Sequence, residues 1–161
     1  MFKKLFCLMA VMVLVSACDT LGLGGGTGSG SGDGSGHMGS ASPGTQEDLV
    51  VNVGDRVFFQ LNKSDLSTEA RATLDRQAAW LKKYPSLSVT VEGHCDERGT
   101  REFNLALGER RATAVKNYLV ADGINSSRLK TISYGKERPA VLGSNEQAWA
   151  QNRRGVTVVN Q

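Results

Sequence analysis

Residues 90–112 read "TVEGHCDERGTREFNLALGERRA". An alternating apolar stretch meets a glycine, then a short run with a histidine, a cysteine, two acids and an arginine, and then a helical pattern. Just upstream, Leu87, Val89 and Val91 alternate with Ser88, Thr90 and Glu92. That period of two marks a strand with one buried face, and Gly93 closes it. Downstream, a helix is expected from Thr100 or Arg101 to Ala121, with Leu105, Gly108, Ala112, Val115 and Leu119 as its apolar stripe. Gly123 stands where a C-terminal capping glycine belongs.

The same reading extends to both sides. "RVFFQL" (56–61) has the aromatic and branched content of a strand. "NKSDLS" turns the chain, with Ser67 as a helix N-cap. Ala70, Leu74, Ala78 and Leu81 recur at helical spacing until Pro85 ends the helix. After the long helix come a strand in "RLKTISYG", a short helix from Asn145 to Arg153, and a last strand in "GVTVVN". Strands separated by helices require crossover connections. The expected fold is therefore α/β (α+β), an open two-layer sandwich. Its mixed four-stranded sheet carries two main helices on one face, packed through Leu74, Leu81, Val115 and Leu119, plus a short extra helix. Trp80 and Trp149 are expected to pack under loops rather than form a recognition surface.

The 161-residue chain begins with a basic Met1–Lys4, an apolar run from Leu5 to Val15, and the small residues Ser16 and Ala17 before Cys18. This reads as a signal segment over residues 1–17, too short to be a permanent membrane span. "LVSAC" resembles a bacterial lipobox, which would make Cys18 the lipid-bearing mature N-terminus; the plainer alternative is an ordinary cleaved signal with an incidental cysteine. More than one acyl chain there would give a stable anchor. With Cys7 removed and Cys18 lipidated, Cys95 has no partner for an intrachain disulfide. Residues 18–47 form a linker, glycine- and serine-rich from Gly22 to Gly44, that cannot build a core and would reach roughly 30 Å on average. His37 within it reads as a solvated linker residue. Residues 48–161 are enough for one core without staples. The formal charge of +3 includes Lys3 and Lys4. Without them the chain is nearly balanced, so no nucleic-acid binding is expected.

The run after Gly93 offers residue types for three chemistries. His94, Cys95 and Asp96 are metal-ligand types, but neighbours on a strand point to opposite faces, and no second cysteine or nearby histidine completes a four-ligand site. A Cys–His nucleophile or a carboxylate pair meets the same objection, and Glu97 beside Arg98 favours a solvated pair. No catalytic residue, metal or cofactor is expected. Ligand capture fits better. Asn104, Leu107, Gly108 and Arg111 share one helix face. If the turn folds back over that face, Asp96 and Arg111 border one cavity with one negative and one positive group. Such a cavity matches a ligand carrying both an ammonium and a carboxylate. A structural Asp96–Arg111 salt bridge is the alternative, and spacing alone does not choose between them.

"VEGHCDERGTREFNLALGERRATAVKNYL", with "SYGKERPAVLG" and "NRRGVTVV", resembles the outer membrane protein A-like peptidoglycan-binding domain family. The resemblance covers roughly Arg56 to Val159 and is strongest in its lipid-anchored members. It implies a non-catalytic domain that grips the diaminopimelate of the peptidoglycan stem peptide. Asp96 would take the ammonium and Arg111 the carboxylate, with Asn104, Leu107 and groups near Phe59, Gln60 and Thr100 lining the rest. It also implies an outer membrane location with the domain in the periplasm. The implied partner is the periplasmic Tol propeller protein (TolB), which competes for an overlapping surface in a system that serves envelope integrity and constriction at division. The chain departs from the family at Gln60 and Asn62, where acids are frequent, and at Cys95, where a small residue is usual. Asp19 after the lipid-bearing cysteine is a sorting signal for the inner membrane in some bacteria.

Overall fold

The computed structural model describes residues 41–160. The expected signal segment, Cys18, Asp19, His37 and the linker through residue 40 lie outside the described residues.

The described chain opens with a short helix α1 (Gln46–Asp48), capped by Thr45, that runs into a π-helical turn over Leu49–Val53. This segment is held by contacts to distant residues. Gln46 Oε1 accepts from Val159 N at 2.7 Å, and Trp80 Nε1 donates to Asp48 Oδ2 at 2.8 Å. Bonds from Asn52, Trp80 and Gly44 N hold the Asp48 carboxyl down at about 2. Strand β1 (Arg56–Phe58) follows and is shorter than "RVFFQL" suggests. Its ladder stops at the pair Phe58–Arg154, where the partner strand begins. Helix α2 (Thr68–Lys83) starts at Ser67, whose hydroxyl accepts from Ala70 N at 3.2 Å, and carries Lys82 and Lys83 in its last turn. Strand β2 (Val89–His94) leads into helix α3 (Arg101–Ala121), capped by Thr100. Gly123, at φ +92°, reverses the chain after α3, with Ile124 N bonded to Leu119 O at 3.0 Å. Strand β3 (Leu129–Gly135), helix α4 (Glu146–Asn152), capped by Asn145, and strand β4 (Arg154–Val159) complete the order.

The sheet runs β1-β4-β2-β3. β4 is antiparallel to β1 and β2, and β2 is parallel to β3, the pair joined by the α3 crossover. The sheet is therefore mixed and open, as the order of elements requires. Leu74, Leu81, Val115 and Leu119 are all buried, in one core with Val57, Val89 and Val91 of the sheet. Trp80 is buried in the same core, edge-on to Tyr84. The stripe assigned to α3 needs one correction. Leu105 is 44 % exposed and shares a shallow apolar groove at the sheet edge with Ile132. The inward row is Asn104, Leu107, Gly108, Arg111, Ala112, Val115 and Leu119. Two polar residues sit in it because each finds backbone partners.

α3 lies unusually close to β2. A Cβ on Gly93 would overlap the Gly108 carbonyl oxygen, and a Cβ on Gly108 would overlap Ser133 Oγ and come within 2.9 Å of Gly93 O. On the opposite sheet face, His94 is buried between Glu92 and Tyr134, its Nε2 lying 3.2 Å from Glu92 Oε2. Burial first, then the charges of Arg154, Arg138 and Arg56, bring its pKa down to about 4.

Gly108→Ala should overpack this contact and lower the unfolding free energy by about 1–3 kcal/mol, read from urea denaturation. His94 gives a pH signature. Between its ordinary pKa of 6.5 and the folded value of about 4, the unfolded chain binds the extra proton. Stability should therefore fall as pH drops through that window, and His94→Gln should flatten the slope there.

Candidate functional site

A bulge separates Gly93, paired with Ser133, from His94, paired with Gly135. Past it, Cys95 N donates to Gly135 O at 2.8 Å and Cys95 Sγ donates to Asn104 O at 3.3 Å. His94 and Cys95 thus face opposite sides. Cys95 is 3 % exposed, and burial pushes its thiol pKa up, which suits a packed small group rather than a nucleophile.

Asp96 begins a tight turn. Its Oδ1 accepts from Arg98 N at 3.1 Å, and Gly99 follows at φ +88° before Thr100 caps α3. The turn is pinned onto the helix by Asn104, whose Nδ2 donates to Arg98 O at 2.8 Å and Thr100 O at 3.1 Å. Two turns further along α3, Arg111 is fully buried. Its Nε donates to Lys63 O at 2.9 Å, Nη1 to His94 O at 2.7 Å and Cys95 Sγ at 3.4 Å, and Nη2 to Gln60 O at 3.0 Å. Its guanidinium also stands 5.1 Å from the centre of the Phe59 ring. Burial draws the Arg111 pKa down, only partly offset by Cys95 and Asp96. Four of its five N–H groups are therefore spent on clasping the β1–α2 loop to the end of β2.

Asp96, Asn104, Leu107 and Arg111 line one gap, together with Cys95, Leu61 and Asn62. The gap is too narrow to admit a water molecule. Phe59 and Gln60 meet it through Arg111, by ring and carbonyl respectively. Thr100 does not line it; its hydroxyl accepts from Phe103 N as the helix cap. A wider groove of about 490 Å3 lies alongside, between Phe58–Gln60, Lys63 and Leu66 on one side and Ala150 and Gln151 on the other. Among the described residues, no three of His, Cys, Asp and Glu gather as metal ligands would.

Two arginines complete the site and were not assigned to it from the sequence. Arg98 donates Nη2 to Asp96 Oδ2 at 2.6 Å and Nε to Oδ1 at 3.2 Å. The expected Glu97–Arg98 pair does not form, because the turn swings Arg98 back over Asp96 while Glu97 accepts from Trp149 Nε1 at 3.0 Å. Arg98 also lies 4.0 Å above the Trp149 ring, so Trp149 packs against this turn. Arg153, 8 % exposed, donates to Phe59 O at 3.0 Å, Asp96 Oδ2 at 3.4 Å and Glu146 Oε1 at 2.7 Å. Arg98 reaches Glu146 at 3.9 Å. Two carboxylates and two guanidiniums thus form a closed ring. Burial pushes the Asp96 carboxyl up, but the bonds and charge of Arg98, with Arg153, outweigh it and hold its pKa below the usual range. The spacing Asp-x-Arg-Gly was the available signal for Arg98: an aspartate that caps its own turn brings the residue two positions on beside it. Nothing local marks Arg153, which is 57 positions from Asp96.

The OmpA family model matches residues 58–153. A protein of Rhizobium meliloti named peptidoglycan-associated lipoprotein is 56 % identical over 121 residues, covering 75 % of this chain and 69 % of its own length. One of the same name from Agrobacterium fabrum is 55 % identical over 124 residues, with 77 % and 70 % covered. Among solved structures, the peptidoglycan-associated lipoprotein from Burkholderia pseudomallei superposes with a TM-score of 0.64 at 39 % identity, covering 66 % of this chain and 90 % of that one.

Arg111→Met should remove the clasp, strand the buried carbonyl of His94 and take the charged partner from the half-buried carbonyls of Gln60 and Lys63. Each such group costs about 1–3 kcal/mol. A loss of at least about 3 kcal/mol in chemical denaturation is expected, and a loss near zero would mean these carbonyls find other partners.

Proposed function

The chain belongs to the OmpA family, and from that premise we propose that it binds peptidoglycan without turning it over. The family is structural and non-enzymatic, so reversible capture is the activity to explain. The observation that carries the reading is the gap that Asp96 and Arg111 both line, one group of each sign at the end of β2 and on the face of α3. A diaminopimelate side chain ends in an ammonium and a carboxylate. Asp96 would accept from the ammonium, and the remaining N–H and positive field of Arg111 would meet the carboxylate. Leu107 and Asn104 would line the walls, Phe59 and Gln60 would hold Arg111 in place, and Thr100 would set the start of α3. Charge-assisted bonds of this kind are worth about 1.5–3 kcal/mol each, enough for a specific and reversible grip. The gap must widen to receive a ligand, and its exposed wall is Leu61 and Asn62 of the β1–α2 loop.

Around this domain, residues 48–161, we place the rest of the reading. Residues 1–17 are the signal, and Cys18 carries lipid that seats the protein in the outer membrane. The linker, expected over residues 18–47, lets the periplasmic domain reach the wall, although its last residues, Thr45 to Glu47, belong to the cap and first turn of α1 and are bonded to the domain. The curated relatives' names, peptidoglycan-associated lipoprotein, support wall binding and envelope linkage. The Tol propeller protein as competing partner, and a role in constriction at division, are the finer part of the proposal and rest on the family resemblance.

One observation favours a second reading. Arg111 spends most of its donors on backbone carbonyls, as a purely structural arginine would. The domain would then be a scaffold that binds proteins alone. Asp96→Asn separates the two, since it removes the charge and keeps the shape. With purified peptidoglycan sacculi, the wild type should co-sediment and Asp96→Asn should stay largely in the supernatant while its melting curve remains cooperative. Equal sedimentation of the two would remove Asp96 from the site.

A further inference from the structure

Resting on that reading, we infer that Arg98 is the internal occupant of the ammonium subsite, so that ligand capture exchanges one cation for another on Asp96. A carboxylate offers about four acceptor positions. Those of Asp96 are all in use: Oδ1 by Arg98 N and Nε, Oδ2 by Arg98 Nη2 and Arg153 Nη1. An incoming ammonium must therefore replace a bond rather than add one.

The geometry selects which bond yields. The Arg98 backbone N–H is part of the turn. Arg153 is 8 % exposed and is tied to Phe59 O and Glu146 as well as to Asp96. The Arg98 side chain is 33 % exposed and is held to Asp96 alone by hydrogen bonds. It also has somewhere to go. Glu146 Oε2 lies 3.9 Å from its Nη1, and the Trp149 ring supports its planar face at 4.0 Å. A displaced guanidinium keeps a carboxylate and an aromatic partner, so the exchange leaves no isolated charge.

The exchange makes Arg98 a specificity-determining residue. A ligand without an ammonium cannot replace the guanidinium. A ligand that carries a carboxylate beside its ammonium offers the freed guanidinium a further partner, which favours a zwitterionic end over a simple amine. Arg98 therefore lowers affinity for every ligand and lowers it least for the doubly charged one.

The test is calorimetric titration of the full domain with a soluble disaccharide tripeptide containing diaminopimelate, at low salt. Arg98→Met keeps the stem over Trp149 and removes the competitor. It should bind about fivefold more tightly than wild type, the effect of a partly exposed ion pair. Arg98→Ala should shift the same way. Unchanged or weaker binding by a folded Arg98→Met overturns the exchange. Asp96→Asn in parallel separates this from the underlying reading: if it binds like wild type, or if wild type does not bind, the site assignment itself falls and the exchange with it. A measurement on the unaltered protein needs no variant to fold. The Arg98 Nε–H, bonded to Asp96, should exchange slowly with water by NMR and become fast at saturating ligand; persistence of slow exchange overturns the proposal.

Discussion

The backbone contact between Gly93 and Gly108 is the constraint from which the site follows. With no side chain on either partner, α3 settles directly on the end of β2. Asn104 and Arg111 lie about one turn to either side of that contact, and the close approach brings both to the strand's exit. Asn104 ties down the turn over residues 98–100, and Arg111 reaches through to His94 O on one side and Gln60 O and Lys63 O on the other. Three parts of the chain that are distant in sequence meet at a single guanidinium. Burying a charge costs several kcal/mol, and this one is offset by four hydrogen bonds and the face of Phe59. Polar groups can occupy the inward row of a helix when the backbone opposite supplies acceptors.

Much of this was legible in the residues. The alternation at 87–92, the cap at Ser67, the stop at Pro85 and the reversal at Gly123 are local signals with local causes, and they placed the main elements to within a few residues. That Asp96 and Arg111 border one gap was readable only on the condition that the turn folds back over the face of α3, and it does. What escaped the sequence was set at long range. Leu105 looked like part of the stripe because apolar residues were counted, whereas the true inward row contains Asn104 and Arg111. β1 ended early because its partner strand begins only at Arg154. Residues 45–47 read as linker and 48–53 as domain without an element, because the order of this segment comes from Trp80, Thr157 and Val159. Arg153 belongs to the same class, since its partners are fixed by the fold and not by any motif.

The ring of Asp96, Arg98, Glu146 and Arg153 gives the site its electrostatic character. It is balanced, and each member touches two others, so a change of partner need not leave a charge bare. A lone aspartate in this position would hold a cation more strongly and with less discrimination. The arrangement suits an exchange of charged partners rather than one permanent bond.

The way α1 is attached also fixes how tension would enter the domain. A pull on the chain from its residue-41 end meets the bonds from Gly44 and Trp80 to Asp48, and those of Gln46 to Thr157 and Val159. These lead into α2 and into β4, an interior strand with neighbours on both sides. Load is thereby spread over several bonds strained together and passed to the best-supported part of the sheet, while the short edge strand β1 takes little of it.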